Sequence, residues 1–263
     1  MAYLARINLK GFSGKLIFSL VGTIVVWGAL IAGSLWWNLR QVELHFEATA
    51  KNQGQVMFEH IELSRFWNAT HGGVYVPITP DTQPNPYLED PNRDITTTDG
   101  LQLTKINPAF MTRQIAEIAQ KEQSIQFHIT SLMPIRPANA ADPWETTALQ
   151  AFEQGESERF ERIAGETGEQ YRYMAPLLVK EGCMACHEKQ GYQVGDIRGG
   201  ISVSMPAAPF AAQATGQKNN LIFFHTIIFL LGAVGLTIYQ VRSYRVQQDV
   251  SSFVRAIKGV SQG

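Results

Sequence analysis

The run LIFSLVGTIVVWGALIAGSLWW, Leu16–Trp37, contains twenty-two residues and no charge. A second uncharged run of nineteen residues, LIFFHTIIFLLGAVGLTIY, covers Leu221–Tyr239. Twenty-two helical residues rise about 33 Å, and the hydrocarbon core of a bilayer is about 30 Å thick. Aromatic side chains at the ends of both runs favour the headgroup layer. The sequence therefore predicts transmembrane helices at residues 16–37 and 221–239.

The flanks of these runs predict their orientation. The first run is longer than the apolar region of a signal peptide and ends in two tryptophans, which favours an uncleaved anchor over a cleaved leader. Basic residues flank both runs on the terminal sides: Arg6, Lys10, Lys15, Arg242, Arg245, Arg255 and Lys258, against one acidic Asp249. By the positive-inside rule, residues 1–15 and the short tail 240–263 are expected in the cytoplasm, and residues 38–220 on the outer side.

The outer segment mixes two kinds of pattern. Three-to-four-residue apolar spacing and helix-start signals predict helices, whereas alternation and β-branched content predict strands. The predicted helices are 39–68, 108–123 and 144–158, and the predicted strands are 124–130, 171–179 and 197–205. Helices flanking short strands favour an α+β domain with an antiparallel sheet. The net charge of −1 offers no basic patch for nucleic acid.

The first outer helix carries an apolar stripe at three- and four-residue steps: Leu39, Val42, Phe46, Val56, His60 and Leu63. We expect the stripe to pack on the domain, and a seam between two copies is the alternative. Gly72 and Gly73 are expected to end the helix. Five of the twelve prolines then fall within residues 77–91. This density excludes a helix or a central strand and predicts an ordered functional loop.

The two cysteines of the chain, Cys183 and Cys186, lie in the motif CMACH. C-x-x-C-H is the attachment signature of c-type haem. The two thiols add across the two vinyl groups, and the adjacent His187 is the proximal iron ligand. The motif predicts one covalent haem c. Bacteria attach this haem outside the cytoplasmic membrane, where the topology prediction independently places the motif, so we expect an inner-membrane protein with a periplasmic domain.

Three other uses of the two cysteines remain as alternatives. A structural zinc site normally has four nitrogen or sulfur ligands, and the sequence has no second cysteine pair. A thioredoxin-like dithiol requires a βαβ context that the local pattern lacks. A disulfide suits an oxidising compartment but closes a very small loop and stabilises little.

Several stretches of the outer segment resemble the PAS-like periplasmic haem c domain of bacterial membrane-bound histidine kinases and chemotaxis-type receptors. They are FWNATHGGVYVPIT, PNPYL, LTKINPAFMTRQIAE, AFEQGE, YRYMAPL and GCMACHEKQGYQVGDIRGGISVSMP, within residues 66–206. The resemblance implies a PAS-like antiparallel sheet with flanking helices, and a haem held between sheet, loop and N-terminal helix. Receptors of this kind continue into signalling modules, whereas 24 residues follow Tyr239 here. We therefore expect a separate partner or a role in electron transfer.

The sixth iron ligand and the propionate contacts are predicted with alternatives. His71, beside two glycines that permit close approach of the backbone, is the first candidate for the distal ligand, and a loop or capping histidine is the alternative. His60 and Met111 are further candidates, and His128 is a weaker one. Arginine binds carboxylates in a two-pronged fashion, so two arginines in matching stretches are candidates for the haem propionates: Arg113 and Arg198.

These features predict a membrane-anchored, mono-haem protein that senses redox state or a small diatomic ligand and relays the signal. The expected receiver is a membrane protein partner or a second copy of the chain. The alternative is an electron-transfer cytochrome subunit of a membrane complex with a redox partner. A haem enzyme is the third reading, but no acid–base pair accompanies the motif, so we expect no enzymatic activity.

Overall fold

The computed structural model describes residues 14–165 and 168–260, without the side chains of residues 123, 185–187, 189, 259 and 260. The described residues form two compact units: one contains residues 14–45 and 213–260, and the other contains the described part of residues 46–212. The first thirteen residues, most of the predicted cytoplasmic N-terminus, lie outside the described residues.

Two long helices contain the uncharged runs. Helix α1 covers Gly14–Thr70 and helix α5 covers Ala208–Val260. Each contains a window of high mean hydropathy, 2.2 and 2.3, so by length and composition both could cross a membrane. Membrane anchoring, the predicted span limits and the orientation of the termini remain predictions.

Within the unit formed by the chain ends, the two uncharged runs are in contact. The indole Nε1 of Trp27 donates to the carbonyl of Phe229 at 3.2 Å, and Gly232 lies directly against that indole. The hydroxyl of Ser34 lies 3.2 Å from Nε2 of His225. Small residues and a few polar contacts of this kind are typical of helix packing in an apolar medium.

The other unit contains two antiparallel sheets and three shorter helices. The first sheet has the order β1-β3-β2, and the second has the order β4-β7-β6-β5. The strands are β1 (Val74–Pro77), β2 (Asp94–Thr96), β3 (Gln102–Ile106), β4 (Gln126–Thr130), β5 (Arg159–Gly165), β6 (Gly168–Leu178) and β7 (Ile197–Pro206). The helices are α2 (Pro108–Gln123), α3 (Pro143–Glu153) and α4 (Glu181–His187). This mixture confirms the α+β prediction; its PAS-like character stays a prediction.

Local signals explain where the helices begin and end. Asn107 caps α2 by accepting from the Phe110 amide at 2.9 Å, and a proline follows at the first helical position. Asp142 and Glu145 form a capping box at the start of α3. Helix α3 ends at Glu153 rather than at the predicted residue 158, because Gly155 adopts a φ of 102° that leaves the helix.

One face of the four-stranded sheet packs against α1. The helix presents Ala50, Gly54, Phe58 and Ile61, and an added Cβ on Gly54 would lie only 2.6 Å from the Cβ of Tyr173. Alternate residues of β6 and β7 complete this core: Tyr171, Tyr173, Ala175, Ile201, Val203 and Met205.

The prediction that the stripe packs on the domain is wrong for Val56, His60 and Leu63, and the alternative of a seam between two copies stays a prediction. Val56 is 49% exposed and Leu63 is 68% exposed, and His60 is also exposed. Four residues of the helix meet the sheet: Ala50, Gly54, Phe58 and Ile61. Two of them, Ala50 and Gly54, are small residues that allow close approach but carry little hydrophobic signal in the sequence. The packing face therefore lies on a different side of the helix from the predicted stripe residues Val56, His60 and Leu63.

Candidate binding cleft

The CMACH motif forms the short helix α4. Cys183 and Cys186 are three residues apart in this helix. Cys183 is a free, half-buried thiol whose sulfur lies 3.4 Å from the amide nitrogen of Lys180. The side chains of Cys186 and His187 are outside the described part of the chain.

Helix α4 is held against the C-terminal part of α1. Lys180, directly before α4, donates to Glu62 at 2.9 Å, and its ammonium lies 5.1 Å from the centre of the Phe66 ring. Gly182 faces Ala69, which an added Cβ would contact at 3.7 Å. These contacts fix the position of the motif on the domain.

A cleft of about 370 Å³ lies in the same unit, a size within the range of small-molecule sites. Its apolar wall comes from α2, β4, β6 and the loops around them: Leu88, Phe110, Ile129, Ile135 and Leu177. Leu177, before α4, and Gln190, after it, both line the cleft. Helix α4 therefore lies, along the chain, between two segments that line the cleft.

Four arginines line the cleft: Arg65, Arg113, Arg136 and Arg198. Among the described lining residues, one carboxylate accompanies them, that of Glu89. Arg65 donates to the carbonyl of Pro108 at 3.1 Å and to Thr112 Oγ1 at 2.9 Å. Burial lowers the pKa of Arg65 to about 10, so the guanidinium stays charged at neutral pH. The cleft is thus positively charged as well as apolar.

The structure brings together the two arginines predicted as carboxylate ligands. The Arg113 guanidinium lies 4.2 Å from the centre of the Phe110 ring. Burial lowers the pKa of Arg113, and the charge of Arg136 lowers it further. Arg198 donates to Ser131 Oγ at 2.6 Å. Their role toward a ligand stays a prediction.

Sequence reasoning missed two of the four arginines. Arg65 lies on α1, one helical turn after the core residue Ile61, and Arg136 lies in an irregular loop. Residues four positions apart face the same side of a helix, so the spacing of Arg65 from the core residue Ile61 is the signal that would have indicated Arg65. No local pattern indicates Arg136.

The candidates for a distal iron ligand lie elsewhere in the described part of the chain. His71 follows the end of α1, is exposed, and has its Nδ1 2.7 Å from the carbonyl of Trp67. Its ring also packs on the Trp67 indole with centres 4.5 Å apart. His60 is exposed on α1 and Met111 is half-buried on α2. None of these three residues is among the described residues that line the cleft. Their role as a distal iron ligand stays a prediction.

His128 is not available as a ligand in this structure. Its Nδ1 lies 2.9 Å from both carboxylate oxygens of Glu145, and its Nε2 lies 3.1 Å from the carbonyl of Ala138. Both ring nitrogens are therefore occupied by protein groups.

Comparison with known proteins assigns the family. The family model described as Tll0287-like matches residues 42–206, more than half of the chain. One solved structure that is similar to the chain is described as the crystal structure of the cyanobacterial heme-protein Tll0287. It is 20% identical, the match covers 59% of this chain and 94% of that one, and the TM-score is 0.39. No curated protein matches the chain. On the match to the family model, the chain belongs to the Tll0287-like family.

Proposed function

We propose that the protein binds one haem c, attached through thioether bonds to Cys183 and Cys186, with His187 as the proximal iron ligand. The observation that carries the proposal is the position of the CMACH helix between two segments that line an apolar, arginine-rich cleft. The relative of known structure is described as a heme-protein, which supports the same cofactor.

The residues of the cleft fit the group. A porphyrin has a large apolar surface and two carboxylates, and the cleft has an apolar wall and four guanidinium groups. Arg113 and Arg198 would pair with the carboxylates, since planar guanidinium groups match them in two-pronged fashion. The two cysteines would fix the porphyrin covalently, and a histidine would orient the iron. When bound, the haem supplies one-electron redox chemistry or binding of a small diatomic molecule.

We further propose that this haem domain is a periplasmic, PAS-like sensor that relays its state to a membrane protein partner or to a second copy of the chain. Helix α1 supports this role, because one continuous helix contains the first uncharged run, contributes Phe58 and Ile61 to the domain core, and places Arg65 in the cleft. A change at the cleft is thereby connected through one element to the apolar run. His71 would supply the distal ligand, with His60 and Met111 as alternatives. The role is relay rather than catalysis.

A second candidate function is electron transfer to a redox partner. The loop beside the cleft exposes apolar side chains, with Met133 70% exposed and Ile135 50% exposed. An exposed apolar patch beside a cofactor site suits transient docking of a partner. Stopped-flow mixing with reduced cytochrome or quinol separates the two roles. Electron exchange at the rate of respiratory turnover supports a carrier, whereas slow exchange supports a sensor.

The test of haem binding is the visible spectrum of the full chain. We expect the detergent-purified protein, made in a bacterium that matures periplasmic c-type cytochromes, to show a Soret band and sharp bands after reduction. A colourless protein from a host that loads a control cytochrome contradicts the proposal.

Arg113→Gln is expected to lower the reduction potential of the haem by about 20–60 mV, where about 59 mV is a tenfold change for one electron. The positive charge of Arg113 in the cleft favours the reduced state, so its removal favours the oxidised state. The measurement is a spectroelectrochemical titration. Arg159→Gln, in the same unit but outside the described cleft lining, is the matched control. An equal shift in both variants contradicts a specific role for Arg113.

A further inference from the structure

A buried polar cluster lies on the face of the four-stranded sheet that packs against α3. At its centre is Glu145, whose side chain is 0% exposed. Its carboxylate accepts hydrogen bonds from Arg172 Nη2 at 2.7 Å, from Ser202 Oγ at 2.5 Å and from the backbone amide of Asp142 at 3.1 Å. The Nδ1 of His128 lies 2.9 Å from both carboxylate oxygens. The cluster joins α3 to three strands.

The surroundings of His128 favour its protonated form. Its two ring nitrogens face two acceptors, the Glu145 carboxylate and the Ala138 carbonyl. A neutral imidazole donates through one nitrogen only, so both hydrogen bonds form only in the imidazolium. The side chain is 38% exposed, so protons from solvent reach it.

The Ala138 carbonyl belongs to a segment that forms one wall of the cleft. We name Ser131–Ala140 the cleft loop; its residues Pro134, Ile135, Arg136 and Asn139 line the cleft. Within it, the amide of Ser131 donates to the carbonyl of Asn139 at 3.1 Å. The hydroxyl of Thr130 donates to the same carbonyl at 3.2 Å. The contact of His128 with Ala138 is therefore one of the described ties between the cleft loop and the sheet, together with those between Ser131 and Arg198.

We propose that His128 is a proton-operated latch that holds the cleft loop. The imidazolium, fixed by Glu145, holds the loop through Ala138. When His128 loses its proton as the pH rises, the remaining N–H stays on the Glu145 carboxylate, and the bare Nε2 then faces the Ala138 carbonyl. Two acceptors in contact repel each other, so the loop loosens and the cleft wall changes. The effect on haem rests on the proposed function; the movement of the loop does not.

The charges around His128 determine whether a rise in pH opens or closes the latch. The groups that face it are Glu145 of α3 and, behind the carboxylate, Arg172 of β6, which also pairs with Asp142 at 2.6 Å. The hydrogen bond with Glu145 raises the pKa of His128 above its ordinary value of 6.5, against an opposing effect of burial. The latch is therefore closed at and below that ordinary value, and it opens as the pH rises through the raised pKa.

Glu145 itself does not titrate in the same range. Burial alone would raise its pKa, but the hydrogen bonds from His128 and Ser202 and the charge of His128 outweigh burial and lower the pKa to about 2. The carboxylate remains ionised wherever His128 changes its charge. Between these two groups, His128 is therefore the one whose charge changes as the latch opens.

The test is hydrogen–deuterium exchange of the full chain in detergent, followed by mass spectrometry at several pH values and corrected for the intrinsic pH dependence of exchange. We expect protection of the cleft loop to fall about tenfold as the pH rises through the His128 titration, the order expected for loss of one hydrogen bond. His128→Gln should abolish this pH dependence, and His45→Gln, outside this unit, should preserve it. A pH-independent loop in the wild-type protein, or an unchanged response in His128→Gln, overturns the latch.

The same measurement on the Cys183→Ser/Cys186→Ser variant separates the latch from haem binding. A response of the cleft loop in that variant supports the latch whether or not the wild-type protein carries haem. A haem-loaded wild-type protein whose loop does not respond overturns the latch and leaves the proposed function intact. If His128→Gln does not fold, the pH series of the wild-type protein and of His45→Gln decides the question.

Discussion

Replacing both Cys183 and Cys186 by serine is expected to remove all covalently attached haem from the protein. A serine hydroxyl does not form thioether bonds with the vinyl groups, so any porphyrin that remains is held by His187 and the cleft alone. The measurement is the haem content per chain after denaturing extraction, which leaves thioether-bound haem on the polypeptide. Either single serine variant should keep one bond and a reduced content.

Met184→Leu is the matched control, because Met184 lies between the two cysteines on α4 and supplies no thioether. We expect it to carry haem at the wild-type level. Equal haem loss in this control would show that disturbance of α4, rather than loss of the thiols, explains the result. Full haem content in the double-serine variant would contradict covalent attachment at these positions.

Glu145→Ala is expected to lower the free energy of unfolding of the domain by about 3–5 kcal/mol, the usual cost of removing one partner of a buried ion pair. The variant leaves the guanidinium of Arg172, which is 10% exposed, without its buried carboxylate. It also removes the acceptor for Ser202 Oγ and half of the capping box of α3. Guanidinium-induced unfolding in detergent, followed by circular dichroism, measures the change.

The control for this variant is Glu153→Ala, on the same helix but with an exposed side chain. Surface substitutions of this kind usually change stability by less than about 0.5 kcal/mol. A Glu145→Ala variant as stable as Glu153→Ala would show that the buried cluster does not hold α3 on the sheet.

Much of the α+β architecture follows from local signals. The strand predicted at 197–205 corresponds to β7, Ile197–Pro206, and the helix predicted at 108–123 coincides with α2. The first segment alternates apolar and polar residues, and the second begins with a capping asparagine and a following proline. Where a segment has a clear hydrophobic period or a clear start signal, the predicted element is present in the structure.

Other elements have no such signal. Strand β2, Asp94–Thr96, is three residues long and has no buried residue, so neither period nor burial reveals it. Strand β5, Arg159–Gly165, contains three charged residues, and the helix predicted at 144–158 ends directly before it. Such strands form because a neighbouring strand pairs with them, which is a property of the tertiary structure.

The cleft and the buried cluster were predicted only in part. Of the cleft arginines, the carboxylate-binding chemistry of arginine in the matching stretches indicated Arg113 and Arg198. The attachment of haem to Cys183 and Cys186, indicated by the motif, stays a prediction. The contact of Glu145 with His128, Arg172 and Ser202 joins residues up to 57 positions apart. Ser202 alternates with apolar neighbours, a pattern typical of a solvent-facing residue, yet it is 1% exposed because α3 covers that face of the sheet. Long-range polar contacts of this kind leave no local pattern.

The most direct test of covalent haem attachment is the intact mass of the denatured full chain, purified from a bacterium that matures periplasmic c-type cytochromes. We predict the mass of the polypeptide plus one iron porphyrin, with the added mass located by proteolysis on the peptide that contains Cys183 and Cys186. The mass of the bare polypeptide, from cells that load a control cytochrome in the same preparation, would contradict it.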